Sequence, residues 1–298
     1  IRRSRGVGRV DAVLVGYLGH LDVHLARWLF RGTPVVLDHM VFLADTAHDR
    51  GLGAGWKRQL LSFIDRRAVA AADLVLLDTH EHAELMAKPW RDRAVVVPVG
   101  APNSWFQAPA VDRDPTGRVV FFGLYTPLQG APLIGDAIRL LAGERISFTM
   151  LGHGQDLAET RRRAGDHGQV EWIEWVEPGE LPALVAQHDV CLGIFGTGPK
   201  ARRVVPNKVY QGLAAGCAIV TSDTPPQRRV LGGVGVLVPP GDAIALADAI
   251  SSLIAHPEEL RHRQRLSFEL ADREYRPHAV VQPVLDRLGL RATDTTDP

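Results

Sequence analysis

Strand-length apolar runs recur along this chain with helix-length segments between them, and that alternation limits the fold class more than any single motif. Four runs come early, at 12–16, 35–38, 74–78 and 94–97, and six follow at 119–123, 147–151, 170–173, 190–194, 218–221 and 234–238. Helical periodicity lies between them, as at 132–141 and 244–254. Strands that alternate with helices build parallel sheets covered on both faces, because each crossover helix must pack back on the sheet. The expected class is α/β, with two Rossmann-like doubly wound parallel-sheet domains.

The rhythm breaks once, in VPVGAPNSWFQAPAVDRDPT, where four prolines interrupt any sustained period. Read as a linker, this stretch divides the chain into a partial first domain at 1–112 and a second domain at 113–272. The remaining stretch, 273–298, is read as a C-terminal helix returning towards the first domain, followed by a polar tail. The chain opens on IRRSRGVGRVDAVLVGYLGH, without Met and with a strand almost at once. The first domain is therefore expected to be incomplete, its first strands and helices absent.

Composition narrows the class of function. Apolar residues make up 46% of 298, ample for two cores, and 34 basic residues balance 34 acidic ones. A nucleic-acid binder would show a basic excess. Cys191 and Cys217 both fall in apolar strand segments, a usage that fits a reducing compartment better than a disulfide framework. No run is long enough to span a bilayer. The expected location is cytoplasmic, with peripheral membrane contact left open. Two segments, 24–31 and 56–67, combine Arg and Lys with Trp, Leu and Ile at helical spacing. Such faces can lie on anionic lipid, but the same spacing describes a sheet-covering helix with a solvated face, which is the preferred reading.

One stretch carries chemistry. In GIFGTGPKARRVVPNKVYQGLAAG an apolar strand ends in a Gly-rich loop with Lys200, Arg202 and Arg203, after which Asn207 and Lys208 open a helix. The chain has only four lysines, two of them here. Fixed cations, small residues and a helix N-terminus together suit a diphosphate. Gln211 lies one turn beyond Lys208 on the same helix face, where its amide could hold ribose hydroxyls. Ligands of open α/β sheets bind beyond the strand C-termini, and this loop leaves such an end.

The same stretch, with the Ser-Asp that follows its next strand, resembles the C-terminal half of a glycosyltransferase family 4 protein, that is, of glycosyl transferases group 1. FFGLYTPLQGAPLIGDAI resembles the family's first donor-domain strand, phosphate loop and helix, and LGHGQ its Gly-x-Gly turn. VEWIEWVEPGELPALVAQHDVCLGIF resembles the nucleobase segment, and GVLVPPGDAIALADAISSLI the late Pro-Gly-Asp turn. DAVLVGYLGHLDVHLARWL, PVVLDHM and AADLVLLDT resemble the later part of the family's first domain. The resemblance implies the GT-B fold, a nucleotide diphosphate sugar donor, a hydroxyl acceptor that can be lipid-linked, and retention at the anomeric carbon. It implies no metal and no cofactor, because side chains and a helix dipole handle the leaving diphosphate. Its place in cell-surface polysaccharide or glycolipid assembly is likewise an implication, and the oligomeric state stays open.

Carried over residue by residue, the resemblance makes Gly123 and Gly130 the positions where backbone approaches phosphate, with Gln129 between them. Trp175 and Val176 would meet the base, Asn207 and Lys208 the phosphates, and Gln211 the ribose. Trp172, by contrast, reads as core. Asp38 or His39 would touch the transferred sugar or acceptor, and Gly16, Tyr17, Asp22 and Asp45 lie near other strand ends of that domain. The departures are specific. The family's Glu-x7-Glu pair reads Arg203 and Gln211 here, and its loop Arg and Lys read Leu124 and Gln129. We therefore expect the phosphate charge to have moved from one strand end to another, onto Lys200, Arg203 and Lys208. On that expectation, Ala at Lys200 weakens diphosphate binding far more than Ala at Gln129. The histidines are scattered in sequence, and the Asp-x-Asp at 112–114 falls in the linker. A non-catalytic pseudo-glycosyltransferase or scaffold, and a GT-B nucleotide-sugar epimerase, remain as alternatives.

Overall fold

The computed structural model describes residues 10–49, 55–107, 109, 111, 113–166 and 168–291. Backbone contacts divide the chain into two units, one running to Pro98 and resuming at Val281, the other running from Val99 to Val280.

The first unit holds β1 (Val13–Val15), α1 (Asp22–Leu29), β2 (Val35–Asp38), α2 (Leu43–Asp49), α3 (Trp56–Ala71), β3 (Leu74–Leu77), α4 (His80–Ala83) and β4 (Ala94–Val96). Its strands form one parallel sheet in the order β1-β2-β3-β4. Val35, Leu37, Val75 and Leu77 are fully buried, and Val23 and Ala26 of α1 and Ala68 and Val69 of α3 close over them. Apolar positions three and four residues apart give each helix one face for the sheet. Asp73 joins the pieces, accepting from the Val35 amide at 2.9 Å and from Arg27 at 2.5 Å.

The second unit holds β5 (Arg118–Phe122), α5 (Ala131–Leu140), β6 (Ser147–Leu151), α6 (Leu157–Ala164), β7 (Val170–Ile173), α7 (Leu181–Val185), β8 (Val190–Leu192), α8 (Asn207–Ala214), β9 (Ala218–Ser222), α9 (Pro225–Leu231), β10 (Val236–Val238), α10 (Ala243–Ala255) and α11 (Pro257–Glu274). A last helix, α12 (Pro277–Leu288), follows. The six strands are all parallel in the order β10-β9-β8-β5-β6-β7. The chain thus starts in the middle of the sheet, winds outwards one way through β7, returns to β8 and winds the other way.

Each strand expected from the sequence forms within two residues of its expected bounds. The largest trimming at a start is at β10, where the Val234 amide turns back to Leu231 O and delays the strand to Val236. Helix α5 buries Ala131, Ile134, Ala137 and Ile138 against the strands, and α10 adds Leu246, Ala247, Ile250 and Leu253. Asp242 caps α10 by accepting from the Ala245 amide at 2.9 Å, which is why the Pro-Gly-Asp turn stops where it does.

The Pro-rich stretch is anchored within the second unit. Trp105 and Phe106 are buried, Trp105 stacks on Phe122 with centroids 5.7 Å apart, and the Ala101 amide bonds to Tyr275 O. Asp189, fully buried at the start of β8, accepts from the Thr116 amide and hydroxyl, the Arg118 amide and Arg113. A buried carboxylate met by four donors ties the entry of β5 to β8, its neighbour in the sheet.

Candidate functional site

Strand order reverses between β5 and β8, so the loops leaving those two strands diverge around a crevice at the sheet's C-terminal edge, the usual ligand position in an open α/β sheet. The β5 loop runs from Gly123 to Gly130 and the β8 loop from Gly193 to Pro206.

The two loops are knitted together by backbone. The Phe195 amide donates to Gln129 O at 2.9 Å. Gly130 has φ +64°, and a Cβ there would lie 2.3 Å from the Phe195 carbonyl carbon and 2.4 Å from the Gly196 nitrogen. Only glycine lets the loops approach so closely. Beneath them Ile194, Ala201 and Val204 form a small apolar cluster with Leu128. That cluster fixes the turn carrying Lys200 and Arg203, closed by the Arg203 amide on Lys200 O at 3.0 Å. Both side chains are half-buried, while Arg202 is exposed.

Lys208 stands at the centre of this arrangement. It sits in the first turn of α8, which follows extended Pro206 and has no side-chain cap. It is 4% exposed. Its Nζ donates to Gln129 Oε1 at 2.5 Å and lies 3.7 Å from the centroid of the Phe121 ring. At Gly123, φ is +136°, and a Cβ would come within 3.1 Å of the same Nζ. The ammonium therefore occupies the mouth of the β5 loop, held by an amide oxygen and an aromatic face. Burial lowers its pKa to about 7. An ammonium so poorly compensated is ready to accept an anion, which would restore its charge.

The fold therefore brings together Gly123, Gln129, Gly130 and Lys208, with Lys200 and Arg203 on the adjoining turn. Asn207 is exposed and Gln211 half-buried on the same helix. Trp175 is 64% exposed on the loop after β7, at the same edge of the same sheet, with Val176 half-buried beside it. Trp172, within β7, packs on the core with the Arg161 guanidinium over its ring, as expected for a core residue. Phe121, the platform for Lys208, was not foreseen, because a strand phenylalanine carries no signal apart from burial.

Asp38 and His39 lie in the first unit, at the end of β2. Asp38 is half-buried, and burial raises its pKa. His39 is 1% exposed, its ring 4.8 Å from that of His20 and 4.4 Å from that of Phe42. Burial, with His20 adding to it, lowers its pKa to about 4. Histidines scattered in sequence come together here: His20, His39 and Asp65 are all buried, with ligand-type atoms within 4.8 Å of one another.

Two Rossmann-type parallel sheets, the second with a glycine-lined cation at its switch point, are the parts of a GT-B fold. Residues 116–256 match the family model described as Glycosyl transferases group 1. The phosphatidyl-myo-inositol mannosyltransferase of Mycobacterium leprae is 31% identical over 176 residues, 56% of this chain and 45% of that protein. Its counterpart in Mycolicibacterium smegmatis is 31% identical over 170 residues, 54% and 43% of the two chains. This chain thus spans less than half the length of these curated relatives. Among solved structures, Anabaena HepE in complex with UDP superposes with a TM-score of 0.74 at 15% identity, covering 97% of this chain and 81% of that one. Sucrose-phosphate synthase of Thermosynechococcus elongatus gives 0.71 at 16% identity, covering 93% and 72%. The chain is GT-B in fold and resembles family 4 through its second unit.

Proposed function

We propose that this protein is a glycosyltransferase that moves a sugar from a nucleotide diphosphate sugar to a hydroxyl acceptor with retention at the anomeric carbon. The observation that carries this reading is the Lys208 ammonium held by Gln129 and Phe121 at the Gly123 mouth. As the glycosidic bond breaks, negative charge grows on the departing diphosphate, and a fixed cation in a dry cradle stabilises that charge more than it stabilises the ground state. Lys208 takes this role, assisted by Lys200, Arg203 and the α8 N-terminus with Asn207. Gly123 and Gly130 admit the phosphates to the backbone. Gln211 holds the ribose, Trp175 stacks on the base with Val176 beside it, and Asp38, with His39 next to it in sequence, serves the sugar or acceptor.

In this reading the diphosphate is held without a metal, so added Mg2+ leaves its binding unchanged. The mannosyltransferase relatives favour an acceptor of glycolipid type and a role in cell-envelope glycan assembly. Peripheral contact with a membrane is part of the proposal. On α3, Trp56, Leu60 and Phe63 are exposed at 69%, 49% and 54%, among Lys57, Arg58, Arg66 and Arg67. No helix among the described residues is long and apolar enough to cross a bilayer.

Thermal-shift titration with UDP and with GDP tests the core of the proposal. Stabilisation by one of them, together with release of that nucleotide from a donor sugar, is the expected result. No stabilisation by either at millimolar concentration would sink it. The replacement of the family's two glutamates by Arg203 and Gln211 favours one second reading, a protein that binds the donor without turning it over. Binding with no diphosphate release from any donor of a panel would select that reading.

A further inference from the structure

His20, His39 and Asp65 come from three separate elements of the first unit: the turn before α1, the end of β2 and the middle of α3. All three are buried, at 4%, 1% and 4% exposure. His20 Nε2 lies 3.1 Å from Asp65 Oδ1. The other Asp65 interactions come from backbone: Oδ1 accepts from the Leu43 amide at 3.0 Å and Oδ2 from the Ala44 amide at 3.2 Å. Neither ring nitrogen of His39 has a hydrogen-bond partner among the described residues. Buried polar atoms are paired as a rule, and an exception needs a physical account.

The geometry points to a binding site for a zinc-class divalent cation, with His20, His39 and Asp65 as its three protein ligands. Two imidazoles and a carboxylate suit such an ion, and alkaline-earth cations prefer all-oxygen sets. The ligand atoms lie within 4.8 Å of one another. Ligands about 2.0–2.2 Å from a tetrahedral zinc stand roughly 3.3 Å apart, a spacing that His20 and Asp65 already approach at 3.1 Å, so the set contracts around the ion. The two amide bonds to Asp65 fix its carboxylate as outer-shell partners of ligands commonly do. The ion supplies the buried carboxylate with a permanent counter-charge and gives the His39 ring the partner it lacks. Its effect is structural: it fastens the β1–α1 turn, the β2 end and α3 to one another, at residues separate from the cradle around Lys208. His39 then serves the ion and not the sugar, which leaves the sugar contact to Asp38.

The test is to strip the full chain with a chelator, dialyse it, and add zinc or cobalt. Binding of about one equivalent of zinc, a rise in Tm, and visible cobalt absorption of a four- or five-coordinate site with nitrogen and oxygen ligands are expected. Asp65→Asn and His20→Gln should each lose the ion while keeping wild-type stabilisation by UDP or GDP, a readout that separates this proposal from the transferase reading. Should a variant fail to fold by circular dichroism, the wild-type cobalt spectrum and stoichiometry decide alone. Wild-type chain that neither rebinds zinc nor gains Tm overturns the proposal, as does zinc stoichiometry unchanged in both folded variants.

Discussion

Lys208 is a buried lysine whose ammonium donates to a neutral amide, Gln129 Oε1, and the consequences of that can be measured. Removing a buried, weakly compensated charge in favour of a side chain of similar length is neutral or stabilising for the free fold. Lys208→Met should therefore leave the Tm of the free protein unchanged or higher. The same change should weaken UDP or GDP binding about 10- to 100-fold, the scale of a charge-assisted hydrogen bond of ~1.5–3 kcal/mol. Isothermal titration of Lys200→Ala beside Gln129→Ala would show which strand end carries the phosphate. The pH dependence follows from the lowered pKa of about 7. Between that value and the unfolded lysine's ordinary range near 10.5, the unfolded chain holds a proton that the native chain has released. This residue's contribution to stability therefore rises with pH across that window, and the penalty is complete below about pH 7. Diphosphate binding has the opposite slope, because it favours the ammonium: affinity should fall as pH rises above about 7 in wild type and stay flat in Lys208→Met.

The loops and strands account for why the cradle forms. Gly130→Ala puts a Cβ into the Phe195 and Gly196 backbone at a left-handed position, where the neighbours are main chain and cannot swing aside. A loss of about 2–4 kcal/mol with loss of nucleotide stabilisation is expected, read by denaturant unfolding and thermal shift. On the helix side, the exposed apolar stripe of α3 predicts co-sedimentation with anionic vesicles that neutral vesicles do not reproduce. Trp56→Ser together with Phe63→Ser should reduce it several-fold without changing diphosphate binding. Retention of full vesicle binding by that double variant would place the membrane contact elsewhere. At this scale the sequence was most legible. Strand runs such as 147–151 and 170–173 appear with unchanged bounds, because the ends of a strand are set by nearby turn residues. The 98–116 stretch was less legible. Its prolines marked the absence of a helix, but the pairing of Trp105 with Phe122 depends on residues that meet only after folding.

For the whole chain, two parallel sheets are a consequence of the β-α-β alternation, whereas the order of strands within a sheet is not. The order β10-β9-β8-β5-β6-β7 makes β5 and β8 neighbours although about 70 residues separate them, and that adjacency creates the crevice. Asp189 secures it through donors at Arg113, Thr116 and Arg118, a role that a lone Asp before a strand does not advertise. By itself the sequence determined the fold class, the strands, and a cation-rich loop leading into a helix, because periodicity and local turn chemistry depend on near neighbours. Tertiary structure alone decided that Lys208 turns inward to Gln129 and Phe121, and that His20, His39 and Asp65 share one buried pocket. Burial and partner choice are set by residues distant in the chain, and burial is what changes an ordinary lysine or histidine into one with chemistry.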